Sequence, residues 1–133
     1  MIGKEIQALI RHRMEQAEEA LGDAAALIER RSHRASVNRS YYAMFYAVLA
    51  LLNLIGQGTS KHGGAIALFD REFVKSGIFD KQFSKWLHEV FMQRQKSDYD
   101  ELIQISDAEA SEAAMEARKF VEEVQRYLAE QVG

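Results

Sequence analysis

The chain has 133 residues, no cysteine, no proline and a formal net charge of −3 at pH 7. This composition excludes a disulfide framework and a thiolate metal site, and it suits one domain, residues 1–133, made of long unbroken helices. The N-terminal sequence MIGKEI has no basic region followed by an apolar run. We therefore expect no signal peptide and a cytoplasmic protein.

The charges are distributed unevenly along the chain. Residues 1–97 carry 14 Lys and Arg against 10 Asp and Glu, whereas residues 98–133 carry 3 against 10. A modestly basic body with an acidic last helix is not typical of a protein that coats DNA. This distribution still allows a local phosphate site.

The first predicted helix runs roughly from Gly3 to Arg31, where apolar residues and alanines recur every three to four positions. A basic corner follows it, formed by Arg30, Arg31, His33, Arg34 and Arg39. These cations either complement the dipole at the C-terminal end of the first helix or contact phosphate.

The second predicted helix, residues 35–55, is the most apolar stretch of the chain, and the other segments are organised around it. A helix that is apolar nearly all round is usually central and covered by neighbours on most sides. We predict a core helix and no membrane span, because Asn38 and Arg39 interrupt its first turns and four other amphipathic segments need a core. Its predicted buried stripe consists of Tyr41, Met44, Phe45, Val48, Leu51, Leu52 and Ile55.

A third, shorter helix is predicted between the glycines that end the second helix, Gly56 and Gly58, and the glycine that ends the third, Gly77. Thr59 or Ser60 is the expected N-cap, and Lys61, His62 and Gly63 come next. A helix N-terminus with glycines nearby suits an anion, to which the two side chains would add donors. The alternative is an ordinary glycine turn with a histidine that caps or packs, since the P-loop pattern is absent.

The fourth predicted helix begins after an Asp80 cap and carries an aromatic face that ends at Arg94. Arg94 and Asp98 are i,i+4 neighbours on a helix, with Tyr99 on the adjacent flank. Asp98 is therefore expected to hold the Arg94 guanidinium, either as a structural ion pair or within a binding site. Asp107 is the expected cap of the fifth helix. These segments predict an all-α fold, an up-and-down four-helix bundle with a short additional helix.

The sequence lacks the patterns of metal, nucleotide-fold and hydrolase sites. None of the four histidines stands three residues after a glutamate, as a di-metal site in a bundle would need. The glycine patterns of a Rossmann fold and of a hydrolase elbow are also absent. We expect neither a metal nor a cofactor.

Three motifs occur in a specific order on this helical pattern. They are Asn38-Arg39-Ser40-Tyr41-Tyr42-Ala43-Met44-Phe45 at the entry to the second helix, Ser60-Lys61-His62-Gly63 at the third, and Arg94-Gln95-Lys96-Ser97-Asp98-Tyr99 at the end of the fourth. In this order they resemble the HEPN superfamily, and in particular its stand-alone prokaryotic branch with an Arg-x-x-x-Asp-Tyr motif. The resemblance covers almost the whole chain. It implies a helical bundle that forms a homodimer, in many cases with a minimal nucleotidyltransferase as partner in a toxin–antitoxin module.

Many HEPN proteins are metal-independent endoribonucleases, and the chain resembles their motif only in part. That motif is an arginine followed after four to six residues by a histidine, brought together across the dimer. Arg94 stands at the arginine position, but Asp98 and Tyr99 stand where the histidine would be. No histidine follows them in the chain.

Two hypotheses about function follow, beside a third possibility, a structural bundle with no ligand. In the first, the protein is an RNA- or nucleotide-binding component of a toxin–antitoxin module, with Arg94, Asp98 and Tyr99 as the catalytic candidates of an endoribonuclease. Its phosphate site would lie at one end of the bundle and would consist of Lys61, His62, Gly63 and Arg94. Arg39 is a further phosphate ligand, although we expect the length of the second helix to separate it from Lys61. In the second hypothesis, the protein is a catalytically silent helical dimer that binds a minimal nucleotidyltransferase or another protein partner.

Overall fold

The computed structural model describes residues 2–59 and 61–132, which form helices and contain no strand. The helices are α1 (Lys4–Glu29), α2 (His33–Leu54), α3 (His62–Phe69), α4 (Lys81–Tyr99) and α5 (Asp107–Val132). A single π-helical turn, Asp70–Val74, continues α3. The predicted all-α fold with four long helices and one short helix is confirmed.

Helix α2 is the centre of the bundle and contacts α1, α3, α4 and α5. Six of the seven side chains of its predicted stripe are buried, and only Ile55, just past its end, is 39% exposed. Ala43, Ala47 and Ala50 are also completely buried, so neighbouring helices approach α2 from several sides. Burial of each large apolar side chain stabilises the fold by about 1.5–3 kcal/mol, which explains why this helix organises the others.

The four long helices alternate in direction. Near the start of α2, the Ser36 hydroxyl donates to the carbonyl of Ala24, which lies near the end of α1. Arg34, also at the start of α2, donates to the carbonyl of Ser97 at the end of α4. Successive long helices are therefore antiparallel, as in the predicted up-and-down bundle.

Helix α3 begins beside the first half of α2 and not beside its end. The ring of His62 packs on Phe45 and its Nδ1 lies 2.7 Å from the hydroxyl of Tyr41. The stretch of α2 from Tyr41 to Leu54 is about 20 Å long at a rise of 1.5 Å per residue. The few residues between α2 and α3 can span that distance in extended form, at roughly 3.3 Å each. The connection thus returns along α2 before α3 begins.

Glycines end α2 and the π-helical turn after α3, as their positions predict. Gly56 has φ of 71° and Gly77 has φ of 87°, a region that residues with a Cβ rarely adopt. The predicted cap of α4 is also confirmed, because the Asp80 carboxylate accepts from the amide of Gln82 at 2.8 Å.

The N-caps of α5 and α3 differ from the predicted ones. Helix α5 is capped by Ser106 and not by Asp107, because the Ser106 hydroxyl accepts from the Glu109 amide while the Glu109 carboxylate accepts from the Ser106 amide, both at 3.1 Å. This is a capping box, in which each residue satisfies a free amide of the other. At α3 the cap position is occupied by Lys61, and Thr59 accepts from the Lys61 amide at 3.2 Å. The alternative cap, Ser60, lies outside the described residues.

One residue of the basic corner, Arg34, binds the end of a different helix from the one predicted. Arg34 donates to the carbonyls of Ser97, Asp100, Glu101 and Ile103, and so fixes the connection between α4 and α5. The expectation that these cations complement the end of α1 is therefore wrong for Arg34, which complements the end of α4.

No helix in the described part of the chain is both long enough and apolar enough to cross a membrane.

Candidate functional site

An arginine–aromatic cluster lies where α2, α3 and α4 meet. We define it by Tyr41, Tyr42 and Phe45 of α2, His62 of α3, and Phe91 and Arg94 of α4. The backbone explains the grouping, because Tyr41 and Phe45 are i,i+4 neighbours on α2 and Phe91 and Arg94 are i,i+3 neighbours on α4. Tyr41 and Phe45 thus lie on one face of α2, and Phe91 and Arg94 lie on the facing side of α4.

The Arg94 guanidinium is held by aromatic rings. Its Cζ lies 4.8 Å from the centroid of Tyr41, 5.7 Å from that of Tyr42 and 5.9 Å from that of Phe91. Only 16% of the side chain is exposed, and the Nε atom is buried without a hydrogen bond to any described residue. Cation–π contacts in a partly desolvated setting can be worth about 2 kcal/mol. Arg94 is therefore a positioned cation with unused hydrogen-bonding capacity.

Asp98 and Tyr99 contribute less to this cluster than the sequence led us to expect. The nearest oxygen of Asp98 is 3.9 Å from Arg94 Nη1, which is beyond hydrogen-bonding distance, and the Asp98 side chain is 47% exposed. Tyr99 is 88% exposed. The rings of Tyr41, Tyr42 and Phe91 hold the guanidinium, its Nη1 donates to the Tyr42 hydroxyl at 3.4 Å, and the predicted ion pair with Asp98 is present only as a long one.

His62 is the second polar group of the cluster. Its ring stacks on Phe45 with centroids 4.1 Å apart, and its Nδ1 shares a hydrogen bond with the Tyr41 hydroxyl. Burial, and then the positive charge of Arg94, lower the pKa of His62. Burial also raises the pKa of the Tyr41 hydroxyl, against the opposing effect of Arg94. The pair is therefore neutral at pH 7.

The Tyr41–His62 hydrogen bond favours one tautomer of the imidazole. Tyr41 is completely buried, and its hydroxyl proton has no acceptor other than His62 Nδ1 among the described residues. A buried hydroxyl that does not donate loses about 1–3 kcal/mol, so the hydroxyl donates to Nδ1. The Nε2 atom of a neutral imidazole then carries the proton, and it is a donor suited to an anion.

Arg39 lies close to the same cluster, which corrects the expectation that the length of α2 separates it from the start of α3. Its Cζ is 4.8 Å from the centroid of Tyr42, whose ring is itself 5.7 Å from that of His62. The Asn38 side-chain oxygen accepts from Arg39 Nη2 at 2.8 Å and from Nε at 3.1 Å. The separation disappears because α3 begins beside the first half of α2.

Lys61 and Gly63 complete the predicted set. Both are exposed at the start of α3, and no atom lies within 4 Å of the position that a Cβ on Gly63 would take. The first amides of a helix have no partner inside it and face outwards. The start of α3 therefore offers backbone donors, and the flexible ammonium of Lys61, next to His62.

A wide cleft adjoins the cluster on the side of the α1–α2 turn. It has a volume of about 870 Å³ and is lined by Arg31, Arg39 and Asn38 on one side and by Asp98 and Glu101 on the other. His33, also at its wall, lies 3.3 Å from Asp107. The cleft carries both signs of charge and is open to solvent. Across residues 2–59 and 61–132, no three His, Asp or Glu side chains are grouped as a metal site would require.

Sequence patterns place Tyr41 and Phe45 in the core and do not single out Tyr42 and Phe91 as site residues. The sequence does contain an indication of their role. Tyrosines at the polar start of an otherwise apolar helix need hydrogen-bond partners for their hydroxyls. The identity of those partners depends on where α3 begins, which helical periodicity does not reveal.

The chain is similar to known proteins over most of its length. A family model described as HEPN domain matches residues 10–127. A UPF0332 protein from Thermotoga maritima is 35% identical over 124 residues, which cover 93% of this chain and 94% of that protein. Two proteins from Methanocaldococcus jannaschii, each with a name beginning "Putative toxin", are 32% and 35% identical over 94% and 97% of this chain and 82% and 92% of their own lengths.

Proposed function

Since the chain belongs to the HEPN domain family, we propose that it is a toxin-like protein that binds RNA at a phosphate seat formed by Arg94, His62, Lys61 and Arg39. The observation that most supports this proposal is the meeting of Arg94 and His62 on the ring of Tyr41. The Arg94 Cζ lies 4.8 Å from the centroid of that ring, and the imidazole centroid lies 5.7 Å from it.

The chemistry of the seat suits a phosphate group. The Arg94 guanidinium is partly desolvated, and the carboxylate of Asp98 lies 3.9 Å from its Nη1, beyond hydrogen-bonding distance, so an incoming anion competes with a long ion pair only. His62 supplies an N–H donor, and the exposed Lys61 and the first amides of α3 lie beside it. The Arg39 Cζ lies 4.8 Å from the centroid of Tyr42 and provides a further cation for the same strand.

Titration of a labelled single-stranded RNA at several salt concentrations tests this proposal. We expect Arg94→Ala to weaken binding by about tenfold. The plot of log affinity against log salt should become shallower by about 0.7 for each phosphate of a single strand that the variant no longer neutralises. Arg118→Ala is the matched control, because it removes the same charge from the exposed surface of α5.

Unchanged affinity and salt slope in Arg94→Ala would contradict the phosphate seat. Lys61→Ala is a second, independent variant for the same RNA-binding assay. Lys61 is exposed, so the loss of its side chain leaves the core intact. A mononucleotide used as competitor separates the two ligand classes considered from the sequence. If a mononucleotide at the same concentration as the RNA displaces it from the protein, the ligand is a nucleotide and not RNA.

A second candidate activity is metal-independent cleavage of the bound RNA, which is favoured by the lowered pKa of His62 beside a cation. An imidazole that is neutral at pH 7 can act as a general base. Cleavage needs the other tautomer, in which Nδ1–H donates to Tyr41 and Nε2 accepts the proton of a ribose 2′-hydroxyl. The 2′-oxygen then bonds to phosphorus, the bond to the 5′-oxygen breaks, and water protonates the leaving oxygen. The products are a 2′,3′-cyclic phosphate and a 5′-hydroxyl.

Incubation of RNA with the protein and a chelator tests cleavage separately from binding. We expect His62→Gln to abolish the cyclic-phosphate product while RNA affinity changes only a few-fold, since the amide retains a donor. Cleavage at the parental rate in His62→Gln would exclude His62 as the base.

We further propose that the protein forms a homodimer through the end of α4. Tyr99 and Leu102 are 88% and 89% exposed, and Met92 is 50% exposed on the same helix as Tyr99. Large apolar side chains exposed in one region often mark an interface. Leu102→Glu should convert a dimer into a monomer in light scattering, whereas a monomeric parent protein would contradict the proposal.

The toxin names of two relatives support a place for this chain in a toxin–antitoxin module. The HEPN resemblance makes a minimal nucleotidyltransferase the partner to test, by co-expression and co-purification. Failure of the two chains to co-purify, with RNA binding retained, would leave the phosphate seat as the function without that partner.

A further inference from the structure

A second charged feature lies between α4 and α5, away from the phosphate seat. It is an acidic groove, which we define by Glu89 of α4 and Glu109, Glu112 and Glu116 of α5. Its deep end is a recess of about 240 Å³, and beyond Glu89 and Glu109 it opens into a wider cleft of about 480 Å³ that is also lined by Met92, His88 and Lys96. The groove follows the helix pair over about two turns.

Glu116 is the exceptional member of this groove. It lines the recess although only 6% of the residue is exposed, and no cationic side chain among the described residues forms an ion pair with its carboxyl group. Carboxylates are rarely so buried unless they are paired. Burial, followed by the negative charges of Glu112 and Glu89, raises the pKa of Glu116 to about 7, against the smaller effect of Lys85. Lys85 itself is 72% exposed and lies 3.9 Å from Glu89.

The walls of the groove are apolar as well as acidic. Val90 and Ala113 form part of the recess, and Met92, which is 50% exposed, borders the wider cleft. Lysine and arginine side chains combine an apolar stem with a cationic head, so the stem can pack on Val90 and Ala113 while the head meets the carboxylates that form most of the lining. Nucleic acid would be repelled here by the carboxylates of Glu89, Glu109 and Glu112, and no three of the described acidic or histidine side chains form a metal-binding group.

We propose that the acidic groove is a docking surface for a protein segment rich in lysine or arginine, with one cationic side chain that reaches Glu116. The opposite charges of the groove and the phosphate seat allow the protein to hold a basic partner and RNA on different faces. This inference rests on the α4–α5 pair alone and does not depend on RNA binding at Arg94.

Fluorescence anisotropy with two short labelled peptides tests the proposal, one alternating leucine with arginine and one alternating leucine with glutamate. We expect the arginine peptide to bind and the glutamate peptide not to bind. In buffer above pH 7, where Glu116 is ionised, Glu116→Gln should weaken binding of the arginine peptide by about tenfold, because the arginine side chain then loses its carboxylate partner. Glu122→Gln is the matched control, since it removes the same charge from an exposed position of α5 and should change affinity by less than about twofold.

Three outcomes would overturn the docking surface. They are no binding of the arginine peptide, equal weakening by Glu116→Gln and Glu122→Gln, and equal binding of the two peptides. Glu116→Gln removes a buried charge without changing side-chain volume, and thermal melting of each variant verifies that it folds. Loss of peptide binding with RNA binding unchanged would assign the defect to the groove and not to the phosphate seat.

Discussion

The hydroxyl of Tyr41 and the Nδ1 of His62 lie 2.7 Å apart, although one residue is in the central helix and the other begins the next helix. Their contact joins α3 to the first half of α2 and brings an imidazole to the guanidinium of Arg94. The pair is thus both a structural connection and the neutral polar part of the arginine–aromatic cluster.

Tyr41→Phe should show the structural value of this pair. The variant leaves the partly buried Nδ1 of His62 without its partner, which should lower the free energy of unfolding by about 1–2 kcal/mol in urea titrations. Tyr46→Phe is the control, because no described residue hydrogen-bonds to the hydroxyl of this tyrosine in the same helix. Equal stability of the two variants would show that the Tyr41–His62 bond contributes nothing to folding.

His62 predicts a specific loss of stability in mild acid. Its pKa is lowered in the folded protein from an ordinary value of 6.5, so the unfolded chain binds more protons just below pH 6.5. Stability contributed by neutral His62 is therefore present above pH 6.5 and is lost as the pH falls through this window. In chemical unfolding followed across pH, His62→Gln should have a flatter profile than the parent just below pH 6.5. Parallel profiles would contradict the lowered pKa.

Glu116 predicts the opposite trend. Its pKa is raised from 4.5 to about 7, so the folded protein binds more protons than the unfolded chain between these values. Stability contributed by protonated Glu116 is present below pH 4.5 and is lost as the pH rises through 7. Glu116→Gln should therefore be more stable than the parent above pH 7, and the difference should shrink below pH 4.5. Glu130→Gln, at an exposed position of α5, should show no such pattern.

Arg34 predicts a local effect on the connection between α4 and α5. Arg34→Lys keeps the charge, but an ammonium on a flexible stem cannot reproduce the planar contacts to four carbonyls. We expect faster amide hydrogen exchange in residues 100–106 and a decrease of about 1.5–3 kcal/mol in the free energy of unfolding. Arg30→Lys is the control. Unchanged exchange in Arg34→Lys would show that charge alone holds the connection.

Arg31 offers a stabilising substitution. It has φ of 60° and ends α1 in a Schellman motif, in which the Ser32 amide donates to the Leu27 carbonyl at 2.8 Å. A residue with a Cβ in this conformation costs roughly 1 kcal/mol, whereas glycine adopts it freely. Arg31→Gly should therefore raise the melting temperature, and Arg30→Gly, at a position with φ of −83°, should lower it. A lower melting temperature for Arg31→Gly would mean that the arginine side chain makes a stabilising contact that outweighs the strain.

The number, order and type of the helices could be predicted from the sequence, because each depends on local chemistry. The apolar circumference of residues 35–55 identified the central helix, Gly56 and Gly77 marked helix ends, and Asp80 identified a cap. The Asp107 cap was predicted one position late, since Ser106 and Glu109 form a reciprocal capping box that competes successfully with it. Arg94 could be singled out from its position at the end of an aromatic face.

The neighbours of Arg94 were decided only by the tertiary structure. Helical periodicity describes one helix at a time, and it gives no information on how far a connection returns along its neighbour. Because the residues after α2 run back beside it, His62 meets Tyr41, and Arg39 comes near both through Tyr42. The same packing desolvates Arg94, lowers the pKa of His62 and buries Glu116 between α4 and the acidic α5. Burial depends on the simultaneous approach of several helices, and it is this approach that turns separate charged residues into a cluster and a groove.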